Sequence, residues 1–292
     1  MRRVLLVANP ASRRGAKLRD AAVRALRDAG VECDLALTER PGHGREICLA
    51  RHDGYDAVFA LGGDGTAMEV VGALAGSGKP VGVLPGGTGN LIARALGIPL
   101  LMKRAVRSLL GGEVRRVDLG CIDERHRFAF AAGVGVDAEM IEKTPRWLKR
   151  RVGIVAYALV AGRAVLFGRP VKVRATVDGE TVERAAVSVM LANFGAVLKD
   201  WITLGPEIRQ DDGMLDLCVF SPAGPIDALR IVWKLLRKDF RDDRRVLYRK
   251  GRDFLIETDP PARYEADGEL LGTTPFRARV DPLAASVLVP RE

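Results

Sequence analysis

The first part of the chain alternates short apolar runs with segments whose apolar residues recur at helical spacing. Residues 4–8 form an apolar run that ends at Asn9-Pro10, which is typical of a buried strand. Residues 16–29 place their apolar side chains on one helical face, and Gly30 is a favourable helix stop. The alternation continues and predicts a strand at 31–37, a helix at 45–51, a strand at 57–61, a helix at 67–75, a strand at 80–84 and a helix at 91–96. This order is typical of a parallel sheet covered by helices.

From residue 127 onward the pattern changes to strand-like runs separated by turns. Asp178-Gly179 between two alternating segments predicts a hairpin. The predicted strands are 128–132, 171–177, 185–192, 214–220, 254–257 and 276–280, and helical patterns interrupt them at 152–167 and 226–238. We therefore predict an N-terminal α/β domain with a parallel sheet over residues 1–120. A mostly antiparallel, sandwich-like β-rich domain is expected over residues 121–292, with 285–289 able to return to either domain.

Composition and charge narrow the class of protein. The 292 residues are 48% hydrophobic and 28% charged, which is enough for a sizeable core and excludes a disordered chain. The net charge is +9, and two segments concentrate the cations. Residues 143–174 carry nine cations and no acid, and residues 228–250 carry nine cations against three acids. Such clusters suggest a polyanionic partner: nucleic acid, anionic lipid headgroups or a nucleotide.

Cysteine usage and apolar runs bear on the cellular compartment. Cys33, Cys48, Cys121 and Cys218 match no zinc pattern, so we expect reduced thiols in a cytoplasmic protein. The apolar run at 4–8 is too short for the core of a signal peptide. Residues 152–168 carry one charge, Arg163. This run lies at the lower length limit for a bilayer span, and a central arginine would cost about 2.5–3.5 kcal/mol. A buried or membrane-leaning helix is the expectation there.

Two glycine-rich turns follow predicted strands and precede predicted helices. They are Gly62-Gly63-Asp64-Gly65-Thr66 and Pro85-Gly86-Gly87-Thr88-Gly89-Asn90, and the turn at 9–15 occupies an equivalent place after the first strand. Ligands bind at the carboxyl ends of parallel strands, and a helix N-terminus attracts phosphate. We expect the turns to lie side by side as the floor of a triphosphate site. Neither glycine turn matches a P-loop or a dinucleotide fingerprint. Asp64 could face Mg²⁺ or its waters, or hold loop geometry; the alternative is a plain glycine turn that Asp64 caps.

An ordered set of motifs resembles the diacylglycerol kinase catalytic-domain family, which includes bacterial soluble lipid kinases and is related to sphingosine and ceramide kinases. The motifs run from end to end of the chain: Asn9-Pro10, Thr38, 62–66, 85–90, Asp211-Asp212-Gly213-Met214-Leu215-Asp216 and Ala266-Asp267-Gly268-Glu269. The resemblance implies an ATP-binding α/β domain, a β-rich lipid-substrate domain and an active site in the cleft between them. It implies transfer of the ATP γ-phosphoryl group to a lipid hydroxyl, with diacylglycerol converted to phosphatidic acid as the leading reaction.

The resemblance also implies roles for individual residues. Glu269 would be the general base and Asp64 a second catalytic carboxylate, and a carboxylate is chemically suited to accept the hydroxyl proton. A structural Mg²⁺ would be held by Asp212 with the backbone of Arg209 and Met214. The implied nucleotide contacts are Asn9, Thr38, Gly63, Asp64, Gly65, Thr66, Glu69 and Thr88, with Asp118 a further member of the acidic network. Read without the resemblance, 267–269 is a hairpin turn and 211–212 a turn that carries two acids. Relatives commonly carry Asp where Leu91 follows Asn90 here.

The basic segments suggest an anionic membrane surface as a reversible partner. Leu229, Val232, Trp233, Leu236 and Phe240 share one helical face flanked by cations, and Trp147 lies among basic residues. The alternative is that solvated cations cover a buried apolar face. We expect a cytoplasmic protein peripherally associated with the membrane.

Two rival functions use the same features. An NAD kinase-like small-molecule kinase would carry an Asn-Glu pair after the second glycine turn, and no Asn-Glu occurs in the chain. A non-catalytic nucleotide-binding regulator could turn its basic face to nucleic acid. Aromatic residues make up only 5% of the chain and no stacking-rich motif occurs, so no nucleic-acid partner is expected. A homodimer is left open.

Overall fold

The computed structural model describes residues 1–10, 15–135, 170–195, 205–241 and 243–291. The chain forms two compact units, one of Met1–Val117 with Leu283–Glu292 and the other of Asp118–Pro282. Two strands contribute residues to both: β5 (Glu113–Ile122) and β16 (Phe276–Val289). Each unit is described separately below.

The first unit is a parallel sheet with helices after its strands. Its elements are β1 (Arg3–Ala8), α1 (Gly15–Asp28), β2 (Glu32–Leu37), α2 (His43–Arg51) followed by a 3₁₀ turn (His52–Gly54), β3 (Ala57–Gly62), α3 (Asp64–Ala73), β4 (Val81–Pro85), α4 (Leu91–Ala95) and α5 (Met102–Leu110). The strand order is β2-β1-β3-β4, all parallel, and Val287 of β16 pairs with Val81 of β4. The predicted α/β architecture is confirmed, because the central strands β1, β3 and β4 are apolar and almost wholly buried.

The second unit is antiparallel. Its further elements are β6 (His126–Phe128), β7 (Ala131–Gly135), β8 (Val171–Val177), β9 (Glu180–Ala186), β10 (Ser188–Ala192), β11 (Leu215–Phe220), α6 (Pro225–Leu236), β12 (Val246–Gly251), β13 (Asp253–Asp259), β14 (Arg263–Ala266) and β15 (Glu269–Thr273). One sheet has the order β12-β11-β10-β7-β14-β15, and β13 pairs with β8 and with the first part of β16. Alternate residues of these strands form one core that includes Phe128, Phe254 and Ile256.

Two runs that the sequence predicted as single strands are interrupted in the structure. The run at 128–132 divides into β6 and β7, because the N–H groups of Ala129, Phe130 and Ala131 donate to the Asp267 carboxylate. The run at 185–192 divides at Val187, because β9 pairs with β8 whereas β10 pairs with β7 and β11. A change of pairing partner within one apolar run leaves the hydrophobic periodicity unchanged, so the sequence pattern cannot reveal it.

Several sequence predictions fall outside the described residues: the helix at 152–167, Trp147, most of the basic segment 143–174, and residues 11–14 of the turn at 9–15. Among the helices that the structure does describe, none combines the length and the apolar character that crossing a bilayer requires.

Candidate active site

The two glycine turns of the first unit are in direct backbone contact, as the sequence predicted. β3 and β4 are neighbours, and the Gly86 N–H donates to the Gly62 carbonyl at 2.9 Å. A Cβ on Gly86 would come within 2.8 Å of the Gly62 nitrogen, and one on Gly87 within 2.6 Å of the Gly63 Cα. Glycine at 86 and 87 is therefore explained by the contact of one loop with the other.

Gly63 has a different environment. A Cβ placed on it would meet nothing nearer, among the described residues, than the Gly87 Cα at 3.8 Å, which is ordinary contact. Gly63 is the N-cap of α3 and its backbone is extended, and because glycine has no side chain the N-cap residue itself makes no side-chain hydrogen bond to the helix. The first N–H groups of a helix have no acceptor within the helix, and they carry a partial positive charge. The start of α3 is thus suited to an anion, and Gly63 leaves room for that anion to approach the backbone.

Asp64 fastens the second loop to the first. The helix α3 begins at Asp64, three residues earlier than predicted, and the Asp64 Oδ1 accepts a hydrogen bond from the Ile92 N–H at 3.1 Å. Burial raises the pKa of Asp64 above its ordinary value, and backbone N–H groups of Ile92, Leu91 and Asn90 oppose that rise. Of the roles open to Asp64 from the sequence, the structure shows the one in which it holds loop geometry.

Asn90 closes the second loop on itself. Its backbone is left-handed, with φ of 49°, and its side chain both accepts from the Gly87 N–H at 2.8 Å and donates to the Gly87 carbonyl at 2.9 Å. Arg94 donates from Nε to the Gly89 carbonyl at 3.0 Å, a contact that the sequence did not indicate. Asparagine tolerates the left-handed conformation better than most residues, so the turn and its hydrogen bonds support each other.

The structure brings together three further predicted nucleotide residues at the carboxyl ends of β1, β2 and β3. Asn9 donates from Nδ2 to the Thr66 Oγ1 at 3.3 Å, and its N–H donates to the Leu61 carbonyl. The Thr38 N–H donates to the Ala8 carbonyl at 3.0 Å, and both threonines are buried. Strand ends of a parallel sheet meet at one edge, and this is why residues far apart in sequence converge.

Gly65 is the second residue of α3, and the last two predicted nucleotide residues, Thr88 and Glu69, have unlike surroundings. Thr88 is exposed on the second loop. The Glu69 carboxylate accepts from the N–H groups of Gly42 at 2.9 Å and Gly44 at 2.8 Å, so it caps the N-terminus of α2. A carboxylate at a helix N-terminus complements its partial positive charge. A nucleotide contact by Glu69 stays a prediction.

In the second unit, Glu269 is presented by a two-residue hairpin turn. Asp267 and Gly268 have φ of 47° and 89°, and they connect β14 to β15. Two consecutive positive φ values are typical of the tight turns that favour Asp-Gly. Glu269 is the first residue of β15 and is exposed. Residues 267–269 therefore form a hairpin turn, and that turn leaves the Glu269 carboxylate accessible.

The Asp267 side chain anchors this turn. Its Oδ2 accepts from the Ala129 N–H at 2.7 Å, and its Oδ1 accepts from the N–H groups of Phe130 at 2.9 Å and Ala131 at 3.1 Å. From the other side, the Gly268 N–H donates to the Glu265 side chain at 2.7 Å. Three N–H bonds to one carboxylate fix the base of the hairpin that carries Glu269.

The tripeptide Asp-Gly-Glu occurs twice in the same setting. Asp178 and Gly179 have φ of 48° and 91°, they connect β8 to β9, and the exposed Glu180 opens β9. The Asp178 carboxylate also accepts from backbone N–H groups, those of Arg252 and Asp253. The tripeptide and its turn therefore do not by themselves distinguish a functional glutamate from a structural one.

Asn193 is a buried polar residue that the sequence analysis did not single out as part of the site. Its Nδ2 donates to the carbonyls of Asp118 and Ala129, both at 2.8 Å. The Asp118 Oδ2 in turn accepts from the Gly213 N–H at 2.8 Å. Asn193 thus connects the segment held by Asp267 to the loop that contains Asp212. An asparagine directly after an apolar strand run was the available signal, because a buried amide must find partners.

The implied Mg²⁺ residues surround a lysine. Asp212 accepts from the Met214 N–H at 3.1 Å through Oδ1 and from the Lys250 Nζ at 2.8 Å through Oδ2. Arg209 extends its side chain to Asp211 at 3.2 Å. Mg²⁺ requires several oxygen ligands in a near-ideal octahedron. The Lys250 ammonium already lies against the one carboxylate of the implied ligand set, which disfavours a second cation there, and ligation by the backbone of Arg209 and Met214 stays a prediction. Within the described ranges, no group of three or more His, Cys, Asp or Glu side chains that could hold a metal occurs.

Asp216 lies beside this ion pair. It is buried, and its Oδ2 is 3.7 Å from the Lys250 Nζ. Burial raises the pKa of Asp216 to about 7, an effect that the positive charge of Lys250 opposes.

Comparisons with known proteins agree on both units. A model described as the diacylglycerol kinase catalytic domain matches residues 3–122, and one described as the YegS C-terminal NAD kinase beta sandwich-like domain matches residues 131–289. A curated diacylglycerol kinase of Bacillus subtilis is 29% identical over 94% of this chain and 92% of its own length. An uncharacterised Synechocystis protein is 31% identical over 82% of this chain and 56% of its own length.

Solved structures of bacterial proteins named as diacylglycerol kinases also match almost the whole chain. A Bacillus anthracis crystal structure matches with a TM-score of 0.83 at 25% identity, and the match covers 98% of this chain and 95% of that one. Another from the same organism, of a diacylglycerol kinase, has a TM-score of 0.75 at 23% identity over 98% of this chain and 96% of that one, which shows the fold.

Proposed function

Because this chain belongs to the family that joins a diacylglycerol kinase catalytic domain to a YegS C-terminal NAD kinase beta sandwich-like domain, we propose that it is an ATP-dependent lipid kinase. The observation that carries this proposal is the uncapped N-terminus of α3, where Gly63 leaves open backbone beside the second glycine loop. That arrangement suits the phosphates of a nucleotide, and a nucleoside triphosphate is the phosphoryl donor of a kinase.

The first unit supplies the nucleotide site in this proposal. The N–H groups of Gly65 and Thr66 bind phosphate oxygens, and Asn9, Thr38, Gly63, Glu69 and Thr88 complete the predicted nucleotide contacts. Asp64 fixes the second loop against the first and is proposed to face the Mg²⁺ that accompanies ATP. When bound, Mg²⁺ neutralises phosphate charge that would otherwise oppose the approach of the attacking oxygen.

Glu269 is the proposed general base. Its carboxylate accepts the proton of the lipid hydroxyl while the hydroxyl oxygen forms a bond to the γ-phosphorus. The bond between the γ-phosphorus and the bridging oxygen breaks at the same time, and ADP leaves. An exposed carboxylate held by a rigid hairpin is suited to this step, because substrate can reach it and the turn limits its movement.

Diacylglycerol is the proposed acceptor, because the curated Bacillus subtilis and Staphylococcus aureus relatives carry the name diacylglycerol kinase. The product would be phosphatidic acid. Monoacylglycerol, sphingoid bases and polyprenols also offer a primary hydroxyl, so the acceptor needs direct measurement.

The test incubates the full chain with γ-labelled ATP, Mg²⁺ and mixed vesicles that contain one candidate acceptor at a time, with NAD in a separate reaction. We expect label in the phosphatidic acid produced from diacylglycerol. Label in NADP instead would establish the rival small-molecule kinase. ATP binding without transfer to any acceptor would establish a nucleotide-binding regulator.

The second Asp-Gly-Glu hairpin supplies a matched control for the base. We expect Glu269→Gln to reduce transfer at least 100-fold, in line with general-base catalysis. Glu180→Gln removes a charge from the equivalent position of the other hairpin and should leave transfer within about twofold of wild type, since no proton transfer depends on it. Equal activity of the two variants would contradict the assignment of Glu269.

The proposed membrane contact is the exposed face of α6. Ile226, Leu229 and Trp233 are 68%, 62% and 57% exposed, and Val232 and Leu236 are also exposed. Ala228 and Ile231 lie on the opposite, buried face. This exposure favours the docking hypothesis over the alternative in which the apolar face of the helix is buried. Phe240 lies beyond the helix end and packs edge-on against Tyr248 instead. Exposed apolar residues in a contiguous patch mark a binding surface.

Positive charge borders the same face. Arg230, Arg237, Lys238 and Arg241 are exposed, and the Arg237 guanidinium lies 4.6 Å from the centre of the Trp233 ring. Basic residues near an anionic leaflet contribute about 1 kcal/mol each, and tryptophan favours the membrane–water interface. We therefore propose reversible docking of α6 on anionic lipid, which would bring the enzyme to its acceptor.

Vesicle flotation tests the docking. We expect wild type to float with anionic vesicles and much less with neutral ones. The double variant Leu229→Ala/Trp233→Ala should lose most of that binding, whereas Leu49→Ala, which truncates an equally exposed leucine on α2, should keep it. Equal flotation on neutral and anionic vesicles would contradict the charge-assisted docking.

A further inference from the structure

The Lys250 ammonium lies against oxygen atoms of the loop at 207–214, where a bound cation would stabilise that loop. Its Nζ is 2.8 Å from the Asp212 Oδ2 and 3.3 Å from the Glu207 carbonyl. The buried Asp216 Oδ2 is 3.7 Å away, within ion-pair distance, and has no hydrogen-bond partner among the residues that the structure describes. A lysine has three N–H donors, and three oxygens surround this one.

The backbone explains why the lysine reaches this place. Lys250 on β12 is the direct cross-strand partner of Asp216 on β11. Opposite charges on paired strands attract, and burial of Asp216 strengthens that attraction. The Asp212 side chain is itself fixed, because its Oδ1 accepts from the Met214 N–H. The ammonium is therefore held between a strand and the loop that precedes that strand.

The loop is also held from its other side. The Asp118 N–H donates to the Gln210 carbonyl, and the Asp118 Oδ2 accepts from the Gly213 N–H. Lys250 holds the segment at Glu207 and Asp212, and Asp118 holds it at Gln210 and Gly213. Four positions of the loop are thus fixed by groups of this chain.

We propose that the Lys250 ammonium is the resident cation of the 207–216 segment, so that this segment is held in place without a bound metal ion. A divalent ion at Asp212 would have to displace an ammonium at 2.8 Å or bind next to it against charge repulsion. The proposal is independent of the lipid kinase activity, and its test uses neither ATP nor lipid.

Mn²⁺ serves as the probe for the metal, and electron paramagnetic resonance counts the bound ions. Wild type and Asp212→Asn should bind the same number of Mn²⁺ ions, and the wild-type Tm should be the same in EDTA as in MgCl₂. An ion bound by wild type and lost in Asp212→Asn would overturn the proposal and establish the metal site that the family resemblance implies.

A double-mutant cycle tests the role of the lysine. In EDTA we expect Lys250→Met to lower the Tm by about 2–4 °C, and Asp212→Asn in the Lys250→Met background to lower it less than it does in wild type. Lys172→Met is the control, because Lys172 is an exposed lysine on β8 that forms a surface ion pair with Glu183 at 3.6 Å. An unchanged Tm for Lys250→Met, or additive effects in the cycle, would overturn the proposal. If Lys250→Met does not fold, the Mn²⁺ comparison still decides, since it needs only wild type and Asp212→Asn.

Discussion

The Asp64 carboxylate accepts a hydrogen bond from the Ile92 N–H at 3.1 Å, and this bond joins the start of α3 to the start of α4. Each helix follows one of the two glycine loops. The carboxylate thus sets the distance between the loops that are proposed to receive the phosphates.

Substitution of Asp64 should separate loop geometry from catalysis. Asp64→Asn keeps an oxygen acceptor for the Ile92 N–H and removes a charge that burial disfavours. We expect it to remain as stable as wild type in urea unfolding at pH 7, and to lose lipid phosphorylation. Asp64→Ala leaves the N–H without this acceptor and should lower the free energy of unfolding by about 1 kcal/mol. Equal stability of Asp64→Ala and wild type would contradict the structural role.

Alanine substitutions of Gly63 and Gly87, which contact each other across the two loops, should have opposite effects on stability and on nucleotide binding. Gly63→Ala adds a Cβ that meets only ordinary contact, so its unfolding free energy should stay within about 1 kcal/mol of wild type. The Cβ would occupy the approach to the α3 N-terminus, and we expect affinity for a non-hydrolysable ATP analogue to fall at least tenfold in calorimetry. Gly87→Ala should instead destabilise the protein by about 1–3 kcal/mol, because its Cβ would be 2.6 Å from the Gly63 Cα. Unchanged nucleotide affinity in Gly63→Ala would place the phosphates elsewhere.

The two hairpins provide a test of Asp267 as a positioning residue. Asp267→Asn replaces one acceptor oxygen by a donor, so at least one of three N–H groups loses its partner, which should cost about 1–3 kcal/mol of stability. Since the turn carries Glu269, kcat should fall while the KM for ATP is unchanged. Asp178→Asn disturbs the equivalent turn, and we expect it to lower stability without lowering kcat. A similar loss of kcat in both variants would mean that Asp267 acts through general stability alone.

Acid should weaken the second unit through Asp253. Hydrogen bonds from the Arg277 guanidinium, and then from Arg279, hold the pKa of Asp253 below its ordinary value. A lowered pKa stabilises the folded protein above the ordinary carboxyl pKa of about 3.9, and that stabilisation disappears as pH falls through the lower folded value. Asp253→Asn should therefore lose up to about 1 kcal/mol at pH 7, and the difference from wild type should shrink below pH 4 in urea titrations. Asp53→Asn, which changes a side chain that is 96% exposed, is the matched control and should leave the free energy of unfolding at pH 7 within about 0.5 kcal/mol of wild type.

The sequence predicted the side-by-side placement of the two glycine loops, because that placement follows from local patterns. An apolar run followed by a glycine turn and a helix specifies a strand end, and parallel pairing brings strand ends to one edge. The contact of Gly86 with Gly62 follows from that order. Long-range side-chain partners do not follow from it. The capping of α2 by Glu69 depends on how α2 and α3 pack together, which leaves no periodic trace in the sequence.

The β-rich half was less predictable for a related reason. The two Asp-Gly-Glu tripeptides form the same turn, and only the contacts of Asp267 and Asp178 with distant backbone distinguish them. The family resemblance, and not the local pattern, selected Glu269. The pairing of Lys250 with Asp212 depends on the register of β11 and β12, and a shift of one residue would turn the lysine to the other face.

The division of β16 has a consequence for the order in which the protein matures during translation. Val287 pairs with Val81, and the Ala284 carbonyl accepts a hydrogen bond from the Gly76 N–H, so the first unit includes residues that are synthesised after the whole of the second unit. The glycine loops at 62–66 and 85–90 leave the ribosome long before these partners do. The nascent first unit therefore cannot complete its sheet beside β4 until the whole of the second unit has been synthesised.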